Sequence, residues 1–137
     1  MRLELTKKTD LAFQALAAVA AASDSRVNGA ALAQSLEIST QYLPHVMAPL
    51  TRAGWVKSVS GPHGGYTLAV SLGSVSLLDL VVAVEGPVDE SRCLHQGPMH
   101  TDDSTCRLHG PWTRARAALL GELADTPLEE MLVAAAR

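Results

Sequence analysis

The hydrophobic positions change their spacing several times along the chain, and each change marks an element. Residues 9–22 are apolar nearly all round, with Leu11, Phe13, Leu16 and Val19 set among alanines; such a stretch predicts a helix buried on more than one side, with Thr6 or Thr9 as its cap. Ser23 to Arg26 read as a loop. Asn28 then N-caps a short helix that turns Ala31, Leu32 and Leu36 inward. A turn holds Glu37 and buries Ile38, and Ser39 caps a second helix. In that helix Leu43, Val46, Met47 and Leu50 recur at i, i+3, i+4 and i+7, which gives one apolar face. Gly54 ends it. Trp55 to Val59 alternates as a strand, Gly61-Pro62-His63-Gly64-Gly65 forms a tip, and Tyr66-Thr67-Leu68 returns. Glycines at the tip permit positive φ and a close approach of backbone to phosphate.

Pro44 and Pro49 interrupt the second helix of this pair. Pro49 has no N–H for the His45 carbonyl, and an interior proline costs about 3 kcal/mol unless the helix bends. Pro44 is tolerated if the helix starts there. A bent or late-starting helix is expected.

Farther on, Ser71 to Ser74 form a turn, and Ser76-Leu77-Leu78-Asp79 has capping-box spacing. The helix it opens runs to about Glu85 and stops at Gly86-Pro87. Residues 88–109 have almost no apolar period and read as an ordered or switchable loop. Gly110-Pro111 starts a further helix with Trp112, Ala115, Leu119 and Leu123 along its seam. Thr126-Pro127-Leu128-Glu129 gives a cap, a first-turn proline and a capping-box glutamate for a short last helix.

Opposite the apolar face of the 43–52 helix stand Thr40, Gln41, His45, Ala48 and Arg52. A face of small, polar and basic groups suits a major groove, where the first residues of a recognition helix reach base edges. A short helix, a turn, a second helix and a glycine-tipped hairpin make a winged helix-turn-helix. The fold class is therefore mainly α with a small β-hairpin wing and a further C-terminal helix, to which a family resemblance assigns dimerisation. Thr40, Gln41 and His45 are the base-edge candidates. Arg52, Lys57, Ser58, His63, Gly64 and Gly65 are candidates for phosphate or minor-groove contacts.

Several motifs carry a resemblance beyond that general layout. They are Met1-Arg2-Leu3, Ile38-Ser39-x-x-Tyr42-Leu43, Leu50-x-x-Ala53-Gly54-x-Val56-x-Ser58 and Gly61-x-x-Gly64-Gly65-Tyr66-x-Leu68. Together they resemble the Rrf2 (Rrf-two) family of bacterial transcription regulators, which includes iron–sulfur regulators of the IscR and NsrR type. The resemblance runs over nearly the whole chain. It implies a homodimer in which the long C-terminal helix pairs the subunits against the first helix.

Composition narrows the picture. The 137 residues carry a net charge of −3, so nonspecific coating of nucleic acid is not expected. The charge is uneven: residues 1–70 hold six Lys/Arg against four Asp/Glu, and residues 71–137 hold five against ten. With so few cations per subunit, DNA affinity needs two subunits on two half-sites, hence a promoter palindrome in double-stranded DNA. Lys7-Lys8 before the apolar run mimic a signal peptide, but Asp10 and Gln14 interrupt the pattern and the run is too short to span a bilayer. A cytoplasmic protein without membrane contact is expected. No nucleophile–base ordering, nucleotide loop or paired-carboxylate cleft suggests an enzyme.

Cys93 and Cys106 both lie in the 88–109 loop, among His95, His100, His109, Asp102 and Asp103. The resemblance implies a cluster site there. Family members carry three cysteines in this loop; Cys93 matches the first and Cys106 the third, and no cysteine stands near Met99 or His100, where the middle one falls. The family's fourth ligand is a histidine soon after the last cysteine or a carboxylate from the partner's first helix. His109 and Asp10 occupy those positions. Mixed Cys/His ligation suits a 2Fe–2S centre, which is favoured over 4Fe–4S by the missing cysteine.

Other readings stay open: reduced thiols without metal, solvated loop histidines, an Asp10 that only complements its helix dipole, and a disulfide, if the α-carbons come within roughly 7 Å. The expected division is 1–87 for the DNA reader with the first helix, 88–109 for the sensor loop, and 110–137 for the dimerisation helix and a short last helix. The expected function is a homodimeric DNA-binding repressor that senses redox, iron–sulfur or nitric-oxide status. The alternative is a regulator without a cluster, responding through thiols, a small molecule or a protein partner.

Overall fold

The computed structural model describes residues 2–94 and 106–135. His95, Met99, His100, Asp102 and Asp103 lie outside the described residues. The chain is a winged helix-turn-helix, mostly helical with one antiparallel hairpin. Helix α1 spans Lys7–Ala21. Thr6 caps it, accepting from the Thr9 amide. Thr9 is not a cap: it is buried, and its hydroxyl donates to Glu85 Oε2 at 2.5 Å, tying the start of α1 to the end of α4 (Leu77–Glu85). Leu11, Ala12, Ala15, Leu16 and Val19 of α1 are buried in the core.

Helix α2 (Gly29–Ser35) starts where Asn28 Oδ1 accepts from the Ala30 and Ala31 amides. Leu32, Ala33 and Leu36 are buried, whereas Ala31 is exposed. The helix turns Ala33 inward because it lies with Leu32 and Leu36 on the face that joins the same core as α1 and α3 (Leu43–Arg52), and Ala31 falls outside that face. Leu43, Val46, Met47 and Leu50 of α3 are all buried, as their spacing requires.

The late start of α3 is observed. Ser39 Oγ accepts from the Tyr42 amide, and the Tyr42 and Leu43 amides both reach the Ser39 carbonyl. Ser39 therefore caps the turn that leads into the helix. Pro44 falls in the first turn, where a missing N–H costs least. Pro49 is inside the helix and buried.

Helices α2 and α3 end in the same motif with different residues. At α2, Glu37 N–H reaches Gln34 O and Ile38 N–H reaches Ala33 O, with Glu37 at φ +56°. At α3, Gly54 N–H reaches Thr51 O and Trp55 N–H reaches Leu50 O, with Gly54 at φ +79°. Both are Schellman caps, which close the last carbonyls and require a left-handed residue.

Strands β1 (Val56–Val59) and β2 (Gly65–Leu68) pair with Val56 opposite Leu68 and Val59 opposite Gly65. Val27 extends the hairpin by exchanging both backbone hydrogen bonds with Tyr66, each at 2.9 Å. The wing is thus stitched to the entry of α2. A 3₁₀ turn, Leu72–Ser74, leads to α4, where Ser76 and Asp79 form the full capping box; Gly86 at φ +89° ends it.

Helix α5 spans His109–Ala124 and α6 spans Leu128–Ala135. Thr126 does not cap α6. Its hydroxyl donates back to the Glu122 carbonyl at 2.8 Å, while its own carbonyl receives the Leu77 amide. Leu128 is buried in the same core as α1 and α3. Among the described residues none of α5 is buried. No described helix is long and apolar enough to cross a membrane.

Candidate nucleic-acid interface and thiol loop

The apolar face of α3 is consumed by the core, so its other side faces outward. Thr40 and Gln41 sit in the turn before α3, His45 in its first turn and Arg52 in its last. All four are exposed, and Ala48 is half-buried. The late helix start moves Thr40 and Gln41 off the helix proper and onto its leading edge. Sequence spacing did not single out Tyr42, which is exposed and packs its ring against His45, centroids 5.9 Å apart and planes tilted by 37°. That pair sets a tyrosine ring beside the imidazole at the candidate base-reading edge. Its sequence signal is the i, i+3 spacing of two rings.

The wing packs on α3 through β1. Lys57 and Ser58 on β1 are exposed, as is His63 at the tip. The His63 carbonyl accepts from Arg26 Nη1 at 3.2 Å, so a side chain from the loop before α2 straps the tip. Nothing in the local sequence marks Arg26 for this role.

The wing glycines answer to the chain's own backbone. A Cβ at Gly64 would stand 2.0 Å from the Val59 carbonyl oxygen, and one at Gly65, where φ is +150°, would stand 2.4 Å from that of Val27. The close approach they were expected to grant to phosphate is already taken up inside the protein. Between the wing and the start of α2 a polar cleft is lined by Asn28, Ser58, Ser60, Gly61 and Gly64.

At the other end of the molecule, Cys93 Sγ and Cys106 Sγ stand 3.8 Å apart, both half-buried. A disulfide would bring them to about 2.05 Å. Two thiolates on one tetrahedral ion with metal–sulfur bonds of about 2.3 Å stand about 3.8 Å apart, so the pair suits two ligands of a single metal or a dithiol. His109 opens α5, and its amide donates to the Cys106 carbonyl at 3.1 Å. Asp10, in the first turn of α1, accepts from Gln14 Nε2 at 2.7 Å. Among the described residues no three of His, Cys, Asp and Glu gather into a metal-binding group. Within one chain, then, Cys93 and Cys106 are brought together, and His109 and Asp10 do not complete them. The residues present fit half of a cluster site.

The segment before Cys93 is well organised. Asp89 Oδ1 accepts from the Ser91 amide at 2.9 Å and the Ser91 hydroxyl at 2.5 Å, and Oδ2 pairs with Arg92 Nε at 3.1 Å. The Ser91 hydrogen bonds, with Arg92 and Arg116 adding to them, hold the Asp89 carboxyl below its usual value. Arg116 of α5 donates to the carbonyls of Glu90 and Arg92.

A family model described as "Rrf2: Iron-dependent Transcriptional regulator" matches residues 5–134. The HTH-type transcriptional regulator IscR of Klebsiella pneumoniae subsp. pneumoniae is 33% identical over 131 residues, covering 95% of this chain and 80% of that protein. IscR of Salmonella paratyphi B matches with the same identity, covering 95% and 79%. Among solved structures, CymR, the global cysteine regulator of B. subtilis, superposes with a TM-score of 0.76 at 25% identity, covering 96% of this chain and 98% of that one. IscR of T. potens superposes at 0.71 with 25% identity, covering 97% and 88%.

Proposed function

The chain belongs to the Rrf2 family of transcription regulators, which are not enzymes, and we propose that it is a homodimeric, cytoplasmic repressor switched through the Cys93–Cys106 pair. Each subunit sets the leading edge of α3 in a major groove, with Thr40, Gln41 and His45 towards base edges. Arg52, Lys57, Ser58 and His63 fix the register on phosphates of a palindromic operator, while Gly64 and Gly65 shape the wing by letting its backbone close against Val59 and Val27. The dimer is supported by α5, whose seam residue Leu119 is 43% exposed beside an apolar groove of Leu3, Leu5, Leu77, Val81 and Leu123.

The observation that carries the switch is the 3.8 Å approach of the two sulfurs at the foot of α5. In this reading Cys93 and Cys106 hold a 2Fe–2S centre, with His109 and the Asp10 position of the partner's α1 as remaining ligands. Such a centre supplies reversible one-electron chemistry and sensitivity to nitric oxide. The protein's part is to bring the thiols together and to connect them to α5. The spacing equally favours a second reading, a dithiol that works without metal.

The test is an absorbance spectrum with iron and sulfide analysis on protein purified without oxygen, followed by operator binding with and without the bound iron. Visible bands with near-stoichiometric iron and sulfide, and a changed affinity on their removal, are expected. Colourless protein that resists reconstitution selects the dithiol. Equal binding in every state, and equal binding by Cys93→Ser and Cys106→Ser, removes the switch altogether.

A further inference from the structure

Both ends of the thiol loop lead back to α5. Cys106 is carried by the helix start itself, through the His109 amide on its carbonyl. Cys93 belongs to a segment far away in sequence, and its placement needs another cause. Arg116, two turns into α5, supplies one. Its Nη2 donates to the Glu90 carbonyl at 2.8 Å and its Nη1 to the Arg92 carbonyl at 3.1 Å. The Asp89–Ser91–Arg92 turn closes between those two points, and the next residue is Cys93.

We propose that Arg116 is the positioning residue of the thiol pair: its guanidinium holds the 90–92 backbone on α5 and so sets Cys93 Sγ opposite Cys106 Sγ. The proposal rests on the reading of Cys93 and Cys106 as a working pair, whether the pair takes metal or forms a disulfide. One hydrogen bond would leave the segment free to pivot. Two bonds to carbonyls either side of Ser91 fix both its position and its direction. The planar guanidinium presents two diverging donors, whereas a lysine ammonium is a single point of charge that cannot reproduce the fork. Holding two reacting groups in place raises their effective concentration without any new contact between them. The same grip makes the loop move with α5, the helix that carries the proposed dimer seam.

The full chain is equilibrated with mixtures of oxidised and reduced dithiothreitol, and the Cys93–Cys106 disulfide is counted by thiol alkylation and mass spectrometry. The protein pair gives up two protons and two electrons as its S–S bond forms, and oxidised dithiothreitol takes them as its own S–S bond breaks. Arg116→Ala is expected to lower the ratio of protein disulfide to dithiol at least tenfold at a given buffer ratio, equivalent to about 30 mV for this two-electron couple. Arg116→Lys is expected to fall close to Ala, and Arg114→Ala, which removes an exposed charge from the same helix, to stay at wild type. Should Arg116→Ala not fold, as seen by circular dichroism, Arg116→Lys carries the test alone. The proposal is overturned if wild type forms no such disulfide, if both Arg116 variants keep the wild-type equilibrium, or if Arg116→Lys behaves as wild type or Arg114→Ala as Arg116→Ala, since charge alone would then explain the effect. Failure of the regulatory reading looks different: Cys93→Ser and Cys106→Ser leave operator binding unchanged under every treatment, while the Arg116 effect on the thiol equilibrium stays measurable.

Discussion

The reader and the thiol end are held together by different forces. In the reader, α1, α2 and α3 pool Leu16, Leu32, Val46, Met47 and Leu50 into one core, and backbone hydrogen bonds fasten the wing to Val27. The thiol end has no such core: among the described residues α5 buries none, and the segment before Cys93 is fixed by the side chains of Asp89 and Arg116. Burial is non-directional and additive, which suits a rigid surface that must fit DNA. A few polar links are individually weak and easily rearranged, which suits a place where a small chemical change has to be felt. The difference teaches that a packed core and a polar-linked periphery are segregated in this chain, with α1 and α4 between them and the Thr9–Glu85 hydrogen bond joining those two helices; the proposed switch places responsiveness at the periphery.

The largest expected contrast comes from two leucines. Leu50 is fully buried and Leu119 is 43% exposed. Leu50→Ala should cost about 2–5 kcal/mol through lost burial and the cavity left behind, read as a fall in the urea midpoint. Leu119→Ser should leave the secondary structure intact and weaken self-association, read by sedimentation. Comparable loss of secondary structure in both would dissolve the distinction between the two ends.

Next comes the wing. Gly65→Ala places a methyl against the Val27 carbonyl and forces a residue with a Cβ to φ +150°, a strain of about 1–3 kcal/mol. Operator affinity should drop with it, while the thiol equilibrium of Cys93 and Cys106 stays put. Gln41→Ala and Lys57→Ala separate roles within the reader. The first should cost about 1–3 kcal/mol and relax preference at one base pair; the second should weaken all sequences alike and lower the salt slope by about 1.

The reader was legible because its signals are local and periodic: the α3 leucine face, the Asn28 cap, the Ser76–Asp79 box and the positive-φ glycines all act within a few residues. Ala31 was misplaced because alanines at adjacent positions leave the helix phase undetermined until Leu32 meets its neighbours. Thr126 was misread because a hydroxyl that can cap forwards can also donate backwards, as it does to Glu122. The links that position the sites left no trace. Arg26 reaches His63 across 37 residues, and Arg116 reaches Glu90 across 26. Both end on backbone carbonyls, which every residue has, so no spacing rule announces them. For the cluster ligands, only the Cys93–Cys106 pairing acquired a distance.

A smaller effect tests whether the reader is optimised for stability. Glu37 adopts the left-handed cap that glycine fills at Gly54. A side chain there costs about 1–2 kcal/mol, part of which glycine returns as lost chain entropy. Glu37→Gly should therefore stabilise the fold by about 0.5–1 kcal/mol, visible as a higher midpoint in urea. A lower midpoint would mean that the Glu37 side chain contributes more than its backbone strain costs.

The smallest effect belongs to the thiol end. Hydrogen bonds from Ser91 lower the Asp89 carboxyl below its ordinary 3.8. A depressed folded-state value means that the turn's contribution is present above 3.8 and is lost as pH falls through the lowered value. Because the group is exposed to solvent, global stability should barely register it; the Ser91 amide resonance should. In NMR titration that resonance is expected to shift with a midpoint below 3.8 in the wild type and to stay flat in Asp89→Asn. A midpoint at or above 3.8 would show that the turn does not favour the carboxylate. Arg116 alone would then organise the approach to Cys93, and the thiol end would hang on one side chain where the reader rests on a core.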